Sequence, residues 1–217
     1  MTDPDTATWI DLTSWDRAAQ FQFFRTFERP HYAITARVDV TSMMAARATG
    51  LSPFRACLFA IGAALHAVPA LCMRMRGNRV IHHTRLRLSP TIALPNGDFG
   101  YAYLPWQPEF SAFDAAAEQE IARVRAGGAL DPNDGSADDL AYLSCLPWLD
   151  FTALDNALPD AADTIPRVSW GKIVPTATGH DMAVALQVHH ALADGAHVGQ
   201  FFAELARVLD EVAQNRA

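Results

Sequence analysis

Hydrophobic residues change their spacing along this chain, and the changes separate strands from helices. From His31 to Val40 apolar and polar positions alternate, which is the pattern of a strand with one buried face. From Phe54 to Val68 apolar residues occupy nearly every position, and Ser52 followed by Pro53 supplies a cap and a first-turn proline. The sequence therefore predicts a half-buried strand and, after it, a buried helix.

The same patterns predict the remaining elements, with turns where Gly, Pro, Asn and Asp cluster. We predict a surface loop over Gly127 to Asp139. The other predicted helices are Trp15–Phe27 with Ser14 as cap, Thr41–Gly50, Ser111–Arg125 and Ala196–Gln214. The other predicted strands are Leu71–Arg76, Arg79–His83, Leu86–Leu94, Phe99–Leu104, Leu140–Cys145, Val168–Val174 and Met182–His189.

These elements interleave without strict βαβ alternation, which points to one fold class. We expect an α/β fold of the α+β, two-layer type, in which helices cover a mixed β-sheet. We expect a single domain over residues 1–217, with residues 1–8 loose.

The composition of the chain argues against some classes of function. The 217 residues are 50% apolar, enough for a sizeable core, and the net charge of −7 argues against a nucleic-acid partner. No run of eighteen apolar residues and no signal-peptide pattern occur, so we expect a cytoplasmic protein without a membrane span. Three cysteines without a CxxC motif favour a reducing compartment.

Candidate chemistry is concentrated where the last apolar strand ends. His189 and His190 stand there, and Asp194 begins a turn into the final helix. A rigid strand end beside a loop suits catalysis, and an ordinary histidine pKa of about 6.5 suits proton transfer near neutrality. A structural histidine pair and a metal site that includes His197 stay open as alternatives. Neighbouring strand residues point to opposite faces, however, and would not easily share one ion.

Several segments together resemble one enzyme family. The run His189-His190-Ala-Leu-Ala-Asp194-Gly195 resembles the HHxxxDG signature of chloramphenicol acetyltransferases, a looser form of which marks dihydrolipoyl acyltransferases. Ser144 to Phe151 is similar to the family's S-x-x-P-W-x-x-F segment. Trp15-Asp-Arg17 resembles the W-x-R of its first helix, and Trp170-Gly-Lys172 resembles a strand that ends in lysine. The similarity spans essentially the whole chain.

The resemblance implies an acetyl-CoA-dependent O-acetyltransferase that acts on a hydroxyl of chloramphenicol or a similar small acceptor. It implies that His190 is the general base and that Ser144 donates a hydrogen bond to a tetrahedral intermediate. It implies a buried ion pair of Asp194 with Arg17 behind the base, a structural role for His189, no metal, and a homotrimer with active sites between subunits.

The resemblance also implies binding residues. Coenzyme contacts fall on Trp148 and Ser144, and acceptor contacts on Phe24, Tyr32, Phe99, Tyr142 and Ser169. Tyr142 replaces an asparagine of many members, and Glu28 and Arg29 place charges where the drug-acetylating members are apolar or small. A related acyltransferase with another acceptor is therefore one alternative, and a non-catalytic ligand-binding homologue is a second.

Overall fold

The computed structural model describes residues 7–127 and 130–215. The strands in this part are β1 (Ala7–Trp9), β2 (His31–Asp39), β3 (Met73–Arg76), β4 (Arg79–His83), β5 (Arg87–Ala93), β6 (Phe99–Tyr101), β7 (Leu104–Pro105), β8 (Leu140–Cys145), β9 (Arg167–Pro175) and β10 (His180–His189). The α-helices are α1 (Ala18–Phe24), α2 (Thr41–Ala46), α3 (Pro53–His66), α4 (Phe110–Gly127) and α5 (Gly195–Gln214). Short 3-10 helices cover Arg47–Thr49 and Pro69–Cys72.

The main sheet is mixed, as the sequence predicts. Its strand order is β2-β10-β9-β8-β5-β6, and β7 also pairs with β5. The β5–β8 and β8–β9 pairs are parallel, whereas the other pairs are antiparallel. A smaller sheet has the order β1-β4-β3.

Strand alternation gives the main sheet two different faces. On β10, Val184, Leu186 and Val188 belong to the core that α3 and α5 share with the sheet, whereas Gln187 and His189 leave the strand on the other side. The helices α2 to α5 all contribute buried residues to this core. The predicted layer of helices on a mixed sheet is therefore confirmed.

A second, smaller hydrophobic cluster joins α1 to the turn after β10. Its buried members are Phe21, Val80, Ala191 and Leu192. These side chains tie α1 and the small sheet to the two residues that follow His190. The cluster thus fixes the first helix beside the predicted catalytic segment, although the two are far apart in the sequence.

The first helix is shorter than predicted, and Ser14 is not its cap. The helix begins at Ala18, and Arg17 at the N-cap makes no side-chain capping bond. Instead Asp11 accepts hydrogen bonds from Thr13 N at 2.9 Å and Ser14 Oγ at 3.2 Å. Such local side-chain bonds compete with helix formation, so residues 11–14 form a turn.

Three other segments differ from the prediction. Ala7 and Thr8 lie in β1, which pairs with β4, so the prediction that they are loose is wrong; residues 1–6 lie outside the described residues. The strand predicted from Leu71 begins at Met73, because Pro69–Cys72 forms a 3-10 helix. The strand predicted over residues 99–104 is divided into β6 and β7.

The helix after Ser52 is confirmed. Ser52 Oγ accepts a hydrogen bond from Arg55 N, and Pro53 is the first residue of α3. No helix in the described part of the chain has both the length and the apolar character that crossing a bilayer requires.

Candidate active site

The two neighbouring histidines differ in how their ring nitrogens are used. His189 is buried; its Nε2 lies 3.1 Å from Ala161 O, and its Nδ1 lies 3.1 Å from Ala191 N. His190 Nδ1 lies 3.2 Å from Ala193 O. Because a carbonyl oxygen only accepts, this bond assigns the hydrogen of the neutral His190 ring to Nδ1 and leaves a lone pair on Nε2. In His189, by contrast, both ring nitrogens already make hydrogen bonds.

Burial has a further effect on His189. Burial, with a smaller contribution from the neighbouring His31, lowers the pKa of this ring to about 4. His31 lies edge-to-face against His189, with ring centroids 4.9 Å apart. The ring is therefore neutral at pH 7 and packed into the protein, which agrees with a structural role.

Asp194 connects the turn after His190 to two other elements. Its carboxylate forms an ion pair with the Arg17 guanidinium and accepts hydrogen bonds at the start of α5 from Ala196 N and His197 N. Burial raises the pKa of Asp194, but bonds from His197 and Arg17 outweigh this effect and lower the pKa to about 2. The carboxylate is therefore ionised at neutral pH and ties α1 to α5.

The resemblance implies a buried ion pair, and the pair in this chain is more exposed than that. The Arg17 side chain is 14% exposed, whereas the Asp194 side chain is 35% exposed. Partial hydration of the carboxylate weakens the pair compared with a fully buried one. Arg17 Nη2 also lies 3.4 Å from His190 O, so the guanidinium contacts the backbone of the candidate base directly.

Two aromatic side chains hold the His190 ring. Phe24 is stacked on it, with centroids 3.8 Å apart and planes 12° apart, and Tyr32 lies at 4.9 Å. Burial, with the nearby Asp194 charge, raises the pKa of Tyr32 to about 12, so its hydroxyl is neutral. These two residues, with His190, Arg17 and Asp194, are called the base corner below.

Ser144 is in a different part of the molecule, near the end of β8, where it lines two clefts. The first, of about 370 Å³, is called the polar cleft; among its lining residues are Ser89, Thr91, Tyr142, Asn156, Arg167 and Ser169. The second, of about 690 Å³, is called the apolar cleft; among its lining residues are Phe54, Ile92, Leu94, Phe99, Leu146 and Trp148. Ser144 and Thr91 line both clefts.

The predicted binding residues are therefore distributed over three places. Phe24 and Tyr32 belong to the base corner, Tyr142 and Ser169 line the polar cleft, and Phe99 lines the apolar cleft with Trp148. Phe99 is thus grouped with the predicted coenzyme residue and not with Tyr142 and Ser169.

The turn that presents Trp148 is held by a close backbone contact. Lys172 N donates to Leu149 O at 2.7 Å, and a Cβ on Gly171 would lie 2.6 Å from the same oxygen. Only glycine fits there without a shift of the turn. Trp148 itself is 68% exposed.

His190 and Ser144 do not meet within one chain. Ser144 pairs with Ser169, which pairs with Ala185, five residues before His190. At about 3.3 Å per residue and 4.8 Å between strands, His190 lies roughly 15–20 Å from Ser144. A general base works within about 3 Å of the proton that it removes, so these two residues of one chain cannot act on the same reacting group.

Sequence reasoning missed Ser89, Asn156 and Arg167, which line the polar cleft. It also missed Gln187, which supports the cleft from β10. Gln187 is 3% exposed; its Oε1 accepts from Asn156 N at 2.9 Å, and its Nε2 donates to Asp155 Oδ1 at 2.5 Å. It thereby holds the segment that carries Asn156. A lone polar residue within the apolar strand before His189 was the available signal.

The residues of metal-ligating type at the histidine motif are His189, His190, Asp194 and His197. In residues 7–127 and 130–215, no three His, Cys, Asp or Glu side chains are grouped as metal ligands would be. The His197 ring lies 2.8 Å from the Asp194 carboxylate and belongs to the cap of α5.

Comparisons with known proteins agree with one another. The family model described as chloramphenicol acetyltransferase matches residues 6–206. The chain is 26% identical over 211 residues to a chloramphenicol acetyltransferase from Streptomyces acrimycini, with 94% of each chain covered. It is 24% identical over 208 residues to chloramphenicol acetyltransferase 2 from Haemophilus influenzae, covering 94% of this chain and 98% of that one.

Solved structures give the same result. A chloramphenicol acetyltransferase has a TM-score of 0.84 at 25% identity, covering 94% of this chain and 99% of that one. A dihydrolipoamide acetyltransferase from Azotobacter vinelandii has a TM-score of 0.65 at 17% identity, covering 90% of this chain and 87% of that one, and shares the fold.

Proposed function

Because this chain belongs to the chloramphenicol acetyltransferase family and is therefore an acyltransferase, we propose that it moves an acetyl group from acetyl-CoA to a hydroxyl of a small acceptor, with His190 as general base. The observation that carries this proposal is the Nδ1 hydrogen bond of His190 to Ala193 O, because it leaves Nε2 as the basic nitrogen.

The proposed reaction is a direct transfer. Nε2 of His190 removes the hydroxyl proton as that oxygen attacks the thioester carbonyl, and a tetrahedral intermediate forms. Its collapse breaks the C–S bond, and the thiolate of CoA takes the proton from the imidazolium. Such proton transfer contributes about 10²–10⁴-fold in rate.

Ser144 is the proposed donor to the negatively charged oxygen of the intermediate. Its position between the two clefts supports this role, because the reacting carbon must lie where acceptor and thioester meet. Cys145 is the neighbouring alternative nucleophile, but burial raises the pKa of its thiol to about 12. The thiol stays protonated at neutral pH, which favours direct transfer over an acyl-enzyme.

The two clefts suit different substrates. The apolar cleft, with Trp148 at its edge, suits the pantetheine arm and acetyl group of the coenzyme. The polar cleft suits the hydroxyl acceptor. Each lies within the size range of small-molecule sites.

We propose further that the site is completed between subunits of a homotrimer. The separation of roughly 15–20 Å within one chain supports this, because one subunit would supply Ser144 and both clefts while its neighbour supplies the base corner. A head-to-tail interface of this kind forms a closed ring when the rotation that relates the subunits closes.

The test is release of free CoA from acetyl-CoA in the presence of chloramphenicol or other alcohols, with wild type beside His190→Ala. The names of the relatives make chloramphenicol the first acceptor to try. Turnover that depends on His190 is the expected result with at least one alcohol. Binding of acetyl-CoA with no turnover of any alcohol would support the alternative of a ligand-binding homologue.

A further inference from the structure

The polar cleft is built by alternation across neighbouring strands. Ser89 pairs with Tyr142, Tyr142 with Arg167, and Arg167 with Gln187, which makes one cross-strand row of polar side chains. The residues beside them in sequence, such as Leu88 on β5, belong to the core on the other face. Polar side chains therefore cover the sheet surface that faces away from the helices.

Two polar atoms in this cleft are buried without a partner. Ser89 is 1% exposed, and its Oγ makes no hydrogen bond among the described residues. Asn156 Nδ2 is likewise buried and unbonded in the described part of the chain, although Gln187 fixes its backbone. Leaving a buried donor unpaired costs about 1–3 kcal/mol, so two in one cleft indicate a site made to receive hydrogen-bonding groups.

The charge of the cleft is balanced. Arg167 Nη2 donates to Asp163 Oδ2 at 2.5 Å, and Nη1 donates to Ile165 O at 3.0 Å. The guanidinium also lies 5.2 Å from the centre of the Tyr142 ring. Since the positive charge is already paired, the cleft suits a neutral molecule better than a carboxylate or a phosphate.

The Tyr142 hydroxyl adds a donor. It accepts a hydrogen bond from Asn133 Nδ2 at 3.0 Å, and Asn133 Nδ2 also bonds to Ala137 O at 2.9 Å. The oxygen of Tyr142 thus accepts from the loop after α4, and its own hydrogen is left to donate to another acceptor. A ligand oxygen in the cleft would provide one.

We infer that the acceptor of this acyltransferase is a small, neutral, polyhydroxylated molecule of the polyol, sugar or nucleoside type, bound through Ser89, Asn156 and Tyr142. The inference rests on the proposed function, because it names the substrate that the polar cleft would hold beside Ser144. Bound hydroxyls would pair the two unbonded atoms, whereas a compound with a large apolar surface would leave them unpaired.

The test compares acceptors in the CoA-release assay. The panel is myo-inositol, methyl α-glucopyranoside and uridine against chloramphenicol and cyclohexanol, all with acetyl-CoA. We expect at least one polyhydroxylated acceptor to have a kcat/KM about tenfold or more above those of chloramphenicol and cyclohexanol. Faster turnover of chloramphenicol or cyclohexanol would overturn the inference and leave the acyltransferase proposal intact. If no acceptor is acetylated, the proposed function fails, and the inference fails with it.

A variant separates binding from folding. Ser89→Ala removes a buried hydroxyl that has no partner in the free protein, so we expect its Tm to equal or exceed that of wild type. We expect a rise of about five- to tenfold in KM for the polyhydroxylated acceptor, with the KM for acetyl-CoA unchanged. Ser111→Ala, at an exposed serine outside both clefts, is the matched control and should change none of these values. An unchanged acceptor KM in Ser89→Ala would contradict the inference.

Discussion

The base corner and the polar cleft are built in opposite ways. In the base corner, His190 and Asp194 lie four residues apart on one turn, which Arg17 and Phe24 from an early part of the chain contact. The polar cleft takes its residues from β5, β6, β8 and β9 and from the loops around Asn133 and Asn156, which are far apart in the sequence. The proton-transfer group is thus set by a short local segment, whereas the acceptor surface is set by strand register. Substitutions at the acceptor surface can therefore change the acceptor without disturbing His190.

Removing the base tests the corner most severely. His190→Ala should lower kcat by about 10³-fold or more, because it removes the nitrogen proposed to take the hydroxyl proton. Steady-state CoA release measures this loss. The far-UV circular dichroism spectrum should be unchanged, since the ring is partly exposed and packs against Phe24 at the surface of α1. A variant that kept wild-type kcat would show that His190 is not the base.

Removing the donor tests the cleft side. Ser144→Ala should lower kcat by about 10²–10³-fold, the usual cost of one lost donor to an oxyanion, with KM values little changed. Thr152→Ala, at an exposed position away from both the polar and the apolar cleft, is a suitable control for kinetics. A rise in the acceptor KM with kcat unchanged would instead indicate that Ser144 only holds the acceptor.

The brace of the base corner should affect stability and activity together. Asp194→Ala removes both the helix cap and the ion pair, and we expect a loss of about 1–3 kcal/mol in the free energy of unfolding. Asp194→Asn keeps a capping oxygen and should lose less. Urea denaturation measures the effect on stability, and kcat measured in parallel gives the effect on activity. If both variants matched wild type in stability, the brace would have no structural role.

Acid should weaken the fold through His189. Its pKa is about 4 in the folded protein, against about 6.5 for an ordinary histidine, so the unfolded state binds a proton first as the pH falls. The free energy of unfolding should therefore decrease from pH 6.5 to pH 4, by on the order of 2 kcal/mol. Urea denaturation across this range measures the decrease, and His189→Gln should flatten it. If the free energy of unfolding of the variant fell equally with pH, groups other than His189 would cause the acid sensitivity.

The contrast between the two regions also explains what the sequence could reveal. Local patterns predict the mixed sheet and most helix positions. The resemblance adds the role of His190 and the ion pair of Asp194 with Arg17. Neither predicts that Ser89, Asn156 and Arg167 lie together, because their proximity depends on which strands pair and in what register. The shortened first helix was missed for a local reason, since Asp11 binds Thr13 and Ser14 before a helix can begin.

The central claim is that two half-sites on different subunits make one active site, and mixing two inactive variants tests it most directly. His190→Ala and Ser144→Ala chains should be co-expressed and CoA release measured for the mixture. In a ring of subunits, about one interface in four would combine an intact His190 with an intact Ser144, so the account predicts recovery to roughly a quarter of wild-type activity. A mixture of Ser144→Ala with the doubly substituted chain should stay inactive. Activity of the first mixture no greater than that of its two inactive parents would contradict the account.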